Sequence, residues 1–213
     1  MAKVITVAQT KGGVGKTTLA LQIAFTLASQ GKRVWLVDGD RQRTSQTAVS
    51  LRPETLPPVA CASYEKGSLL RSQVLLQKGS FDVVIIDVGG ADSSAMRASL
   101  TVSDAMVVPF QPRAFDVWAL GELSSVIDEV SGVRGSFPAY AVLNCADTRG
   151  DDNEGAITAL EDFPALSYLP CPIGRRKAIA VASCSGLSVC ETRPRDPKAV
   201  AEVTALVNAL FEE

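Results

Sequence analysis

The chain has 213 residues, 46% hydrophobic and 21% charged, a length that fits one compact domain spanning 1–213. Lysine and arginine (21) nearly balance aspartate and glutamate (23), for a formal net charge of −2. That balance excludes a protein that coats nucleic acid by bulk charge, so any such contact must come from a local basic patch. Histidine is absent, which removes Ser-His-Asp and Cys-His catalysis, His-ligated metals and His phosphorelays. A general base must then be a carboxylate, or water held by one.

The longest uncharged run, Thr17 to Gly31, is 15 residues and includes Thr, Gln and Ser. A membrane helix needs roughly 20 apolar residues. The opening MAKVITVAQT lacks the basic, apolar and cleavage regions of a signal peptide. Five cysteines (Cys61, Cys145, Cys171, Cys184 and Cys190) form no C-x-x-C pair and read as reduced packing thiols. These features predict a cytoplasmic chain.

In chain order, KVITVAQ (3–9) is rich in β-branched residues and ends at a glycine-rich turn. A helix buried against a sheet is predicted from Thr17 to Gln30, stopped by Gly31. RVWLVD (33–38) is a second strand, and the prolines and glycine of 39–58 predict a long loop with room for one helical turn. A short strand at 59–63 and a helix at 68–77 follow. FDVVIID (81–87) is a near-continuous apolar run, as in a strand buried on both faces. Further strands are predicted at 104–110, 138–144 and 165–170, with helices at 115–131, 153–162 and 175–185. The last helix starts near Pro197 and runs to the C-terminus. Such alternation predicts an α/β fold with a doubly wound, mostly parallel sheet flanked by helices.

Between the first strand and helix stands Lys11-Gly12-Gly13-Val14-Gly15-Lys16-Thr17-Thr18. Glycines let backbone N–H groups turn inward into an anion nest, and the helix N-terminus adds its dipole. Lys16 can reach the β- and γ-phosphates of a nucleotide, and the Thr17 hydroxyl suits Mg²⁺. The strict phosphate-loop pattern asks for glycine at position 10, where Thr10 stands; what the chain adds is a second lysine, Lys11. Asp87 ends an apolar strand beside this loop, where a charge is useful only with a cation near it. Asp38 and Asp40, two apart at the end of a neighbouring strand, point to one side; capping the following turn is the other reading.

This string resembles the deviant phosphate loop, K-G-G-x-G-K-T-[ST], of the ParA/MinD superfamily of dimeric ATPases. Val37-Asp38-Gly39-Asp40-Arg41-Gln42 looks like the family's D-x-D-P-Q segment, with Arg41 in place of proline. FDVVIID fits the Walker B strand, though Val88-Gly89-Gly90 follows where two prolines are usual, and VVPFQP (107–112) resembles the family's proline-containing strand end. Arg176, Ala182, Gly186, Val189 and Glu191 fit the C-terminal pattern R-x5-A-x3-G-x2-V-x-E. The small plasmid- and element-encoded partition ATPases are the most similar members in size.

The resemblance implies an ATP/ADP- and Mg²⁺-binding fold in which residues 12–18 cradle phosphate. It implies Thr17, Asp38 and Asp87 around Mg²⁺, and Asp40 positioning the attacking water. Lys11 would cross the interface of an ATP-state homodimer to the partner's phosphates. Asn144 falls where a base-contacting polar residue often lies, with a turn-forming asparagine as the even alternative. Arg175, Arg176 and Lys177, with Arg193, Arg195 and Lys198 behind them, read as a solvated face or as a patch for non-specific DNA. The family role implied is DNA segregation with a centromere-binding or adaptor protein, reset by slow hydrolysis, at the nucleoid. Positioning another cargo, such as a transfer complex, and a metabolic phosphate-loop ligase or kinase like dethiobiotin synthetase are the alternatives. The final helix is acidic after Lys198, which disfavours a membrane surface.

Overall fold

The computed structural model describes residues 1–211; the last two residues of the expected C-terminal helix lie outside them. Its framework is a parallel sheet of β1 (Lys3–Val7), β2 (Val34–Asp38), β3 (Ala60–Ser63), β4 (Val83–Asp87), β5 (Ala105–Phe110), β6 (Ala139–Ala146) and β7 (Ser167–Tyr168). The strands run in the order β3-β2-β4-β1-β5-β6-β7, and β8 (Ile173–Gly174) also pairs with β6. The doubly wound parallel sheet expected from the alternation is what forms.

Side chains alternate between the two faces, as a period of two requires. Val4, Val84, Ile86, Met106 and Val108 face one core, closed by α3 (Gly67–Gln77), α4 (Ser94–Leu100), α5 (Ala114–Arg134) and α6 (Asp152–Thr158). Ile5, Val7, Ile85, Val107 and Val142 face the other, closed by α1 (Lys16–Ser29), α7 (Lys177–Cys184) and α8 (Pro197–Phe211). Helix α1 is buried along most of its length, which explains its lack of a polar stripe.

Several elements depart from the sequence expectation. Inside the 39–58 loop lies α2 (Thr44–Ser50), a seven-residue helix with only Ser45 and Ala48 buried. Helix α4 was not anticipated; it begins at a Ser93 cap whose hydroxyl accepts the Met96 N–H. β6 continues two residues past Asn144. The 165–170 strand shrinks to the two residues of β7, because Pro170 and Pro172 interrupt the run before β8. Among the described residues, no helix is long and apolar enough to cross a membrane.

Candidate functional site

The register sets Asp38 directly beside Asp87, and Val7 beside Asp87, so three strands end together under the loop that leads into α1. The carboxyl ends of parallel strands are where such sheets bind ligands. The loop needs its glycines at two points. Gly13 (φ 80°) and Gly15 (φ 94°) adopt left-handed backbone. A Cβ on Gly15 would also stand 2.2 Å from the Asn144 amide nitrogen.

Loop carbonyls are fixed from three sides. The Asn144 side chain donates to the Val14 oxygen (2.7 Å), Gln111 to the Gly13 oxygen (3.0 Å) and Lys16 Nζ to the Lys11 oxygen (2.8 Å). With those oxygens engaged, the loop's N–H groups are left to face a ligand. Asn144 is therefore not at a turn: it lies buried within β6, and its amide nitrogen is given to the loop. Gln111, within the VVPFQP segment, was not singled out there.

Below the loop lie two buried carboxylates with different surroundings. Asp38 accepts the N–H of Asp40 on Oδ1 (3.0 Å) and that of Gln46 on Oδ2 (2.9 Å). Asp87 accepts the Ser45 hydroxyl on Oδ2 (2.6 Å), and the Thr17 hydroxyl lies near the same carboxylate. Its Oδ1 is buried with no partner. Burial pushes the Asp87 carboxyl up to about 7, beyond what those hydroxyls and Lys16 offset. Burial also raises Asp38, and lowers Lys16 against the pull of Asp87 and Asp40.

An orphaned buried oxygen beside a threonine hydroxyl suits a hard cation with a water shell. Among the described residues no three His, Cys, Asp or Glu side chains converge to hold a metal by themselves. Magnesium fits this poverty of ligands, since it keeps several waters and takes phosphate oxygens as partners.

Asp40 is half-buried and accepts the Gln42 N–H (2.9 Å). Gly89 and Gly90 lie close against the site. A Cβ at Gly89 would lie 3.2 Å from Asp40 Oδ2, and one at Gly90 3.1 Å from Gly12 N, Gly12 Cα and Lys16 Nζ. The segment after β4 is thus pressed onto both Asp40 and the loop. Lys11 folds back onto its own chain: Nζ is 2.6 Å from buried Asp116 and 5.8 Å from the Phe115 ring centroid.

The basic segment is not one patch. Arg175 and Lys177 are exposed, whereas Arg176 bonds Glu202 through Nε (2.7 Å) and Nη2. Its charge is matched within the fold, so Arg176 is withdrawn from the DNA-contacting set. Helix α7 begins at Lys177, two residues later than expected. The other members of the C-terminal pattern are packing residues: Ala182 and Val189 are buried, Gly186 (φ 69°) presses on Arg52, and Glu191 pairs with Arg52 at 2.7 Å.

A glycine-rich loop on a helix start, a buried lysine and an under-coordinated carboxylate on a parallel sheet define a phosphate-loop nucleotide-binding protein. A family profile described as an AAA domain matches residues 2–61. The chain is 26% identical over 208 residues to the maintenance of carboxysome distribution protein A of Halothiobacillus neapolitanus, covering 97% of this chain and 95% of the relative. It is 28% identical over 153 residues to the chromosome-partitioning ATPase Soj of Thermus thermophilus, 59% of this chain and 61% of that one. The septum site-determining protein MinD of Pyrococcus horikoshii, solved with Mg-ADP, shares the fold at TM-score 0.77 and 16% identity, over 100% of this chain and 97% of that one. The chain is thus similar in sequence to partition and positioning ATPases of the ParA type, and shares the fold of a MinD protein.

Proposed function

We propose that this positioning or partition ATPase works as an ATP-switched homodimer that carries a cargo over DNA. The observation that supports the switch is the Asp87 oxygen left without a partner beside Lys16, Thr17 and Asp38. Loop N–H groups of residues 12–18 and the Lys16 ammonium bind ATP or ADP phosphates, as at other helix starts. Thr17 and Asp87, with Asp38 behind them, hold Mg²⁺, which when bound neutralises charge on the phosphates. Asp40 orients the attacking water, and Gly89-Gly90 closes over it. Lys11 exchanges Asp116 for the partner's phosphates, so ATP rather than ADP supports the dimer.

The DNA contact falls to Arg175 and Lys177, with Arg195 and Lys198, all exposed. A net charge of −2 gives no diffuse attraction, so dimerisation, which doubles these few cations, supplies the avidity. A centromere-binding or adaptor protein links the cargo and stimulates slow hydrolysis, in the cytoplasm at the nucleoid. Similarity to a carboxysome distribution protein over nearly the whole chain favours a protein-body cargo as much as a plasmid.

Sizing in ATP and in ADP, paired with titration of non-specific duplex DNA, tests this reading. A dimer that binds DNA in ATP and a weakly binding monomer in ADP are expected. Equal behaviour in both nucleotides, or a Lys11→Ala variant that still dimerises, would refute the switch.

A further inference from the structure

The two carboxylates under the loop are joined to one short piece of chain. Asp40 N and Gln46 N both donate to Asp38, and between them Ser45 Oγ reaches 42 residues along the sequence to Asp87. A serine within a helix usually returns its hydroxyl to a carbonyl one turn back. Ser45 is instead wholly buried and spends its proton on the acid that a cation would need.

Packing does little to hold α2 in place. It buries only Ser45 and Ala48, and a cleft of about 330 Å³, lined by Thr17, Thr18, Thr44, Thr47 and Ser183 among others, runs beside it. The position of α2 therefore rests on the apolar contacts of Ala48 and Val49 together with the polar anchors at Asp38 and Asp87, while the Gly39 N–H donating to the Asp87 carbonyl (2.7 Å) ties down the chain beside Asp40.

We propose that Ser45 is a positioning residue of the magnesium site. By donating to Oδ2 it fixes the Asp87 carboxylate with Oδ1 turned to the cation's water shell. Through the same bond it ties occupancy of that site to the segment bearing Asp40. The proposal rests on the Mg·ATP reading above, and the contact is one that the sequence pattern did not mark.

The test is ADP binding to the full chain in EDTA and in rising Mg²⁺, followed by a fluorescent ADP analogue, together with steady-state ATP turnover. In Ser45→Ala, affinity in EDTA should match wild type, because the loop and Lys16 are untouched. The Mg²⁺ concentration for half-saturation should rise roughly tenfold or more, the usual effect of losing a partner that orients a ligand. Turnover should fall while the KM for ATP at saturating Mg²⁺ stays. Ser45→Cys fills the same space with a weaker donor, and should shift the Mg²⁺ dependence in the same direction by less, even if alanine unfolds the chain. Wild-type Mg²⁺ dependence in both variants would overturn the proposal, as would an equal loss of affinity in EDTA. Wild-type protein indifferent to Mg²⁺ would overturn the magnesium reading itself and the proposal with it.

Discussion

Two regions of the molecule bury charge, and they do so in opposite ways. Where the segment after α2 meets the C-terminal segment, Arg52 and Glu191 form a two-pronged pair (2.7 and 3.0 Å), and the guanidinium also reaches the Pro57 and Gly186 oxygens. Each charge there is matched within the fold, so the pair needs nothing further. At the ends of β2 and β4, two carboxylates lie side by side, and Asp87 keeps a buried oxygen with no partner and an elevated pKa. A satisfied buried pair is architecture; an unsatisfied one is a place prepared for something that arrives. The contrast separates the residues that hold α7 and its neighbours in place from those that bind.

The largest expected effect breaks the satisfied region. Glu191→Ala strands a buried guanidinium and should cost about 3–5 kcal/mol in urea unfolding, as loss of one partner from a buried pair does. If stability is unchanged, the pair is not structural and the contrast fails.

The unsatisfied region should reveal itself through pH. Asp87 is raised to about 7 from 3.8, and Asp38 is raised as well, each by burial first. The folded chain then holds protons that the unfolded chain releases. This contribution is fully present below about pH 4 and is lost as pH rises through about 7. In EDTA without nucleotide, the urea midpoint should therefore fall between pH 5 and pH 8, and Mg·ADP should flatten the fall. A midpoint that rises over that window would show Asp87 already paired.

A smaller effect is expected where the post-β4 segment touches the loop. Gly90→Ala puts a methyl 3.1 Å from Gly12 backbone and Lys16 Nζ. It should weaken ATP binding about tenfold, or ~1.4 kcal/mol, with the melting temperature held. Unchanged affinity would mean that Gly90 lies clear of the phosphates.

The smallest effect concerns the exposed cations. Arg175→Ala with Lys177→Ala should leave ATP dimerisation intact and lower the salt slope of DNA binding by about one unit per lost phosphate contact. Arg176→Ala should instead cost stability, since it frees Glu202. If Arg176→Ala alone abolishes DNA binding in a folded protein, the ion pair opens in the complex.

Much of this was readable from residue order because the constraints are local. Gly13 and Gly15 are needed where φ is positive, and β4 reads as apolar because both its faces are covered. The pairing of Asp38 with Asp87 follows once both end neighbouring strands. The parts that were not readable depend on side-chain direction across long sequence separations. Asn144 turns inward to Val14 rather than outward, Arg176 is captured by Glu202, and Ser45 lies in a polar helix with no periodic signal. Helix α4 is short, with a mixed composition that no spacing rule picks out.

The central claim is that the loop before α1 binds nucleotide phosphate through Lys16. Calorimetric titration of Mg·ADP into wild type and Lys16→Ala tests it most directly. Binding to the wild-type chain and none to the variant is expected, because the cation paired with phosphate is gone while the fold stays. Equal affinity in the two proteins would place the nucleotide elsewhere and contradict the site.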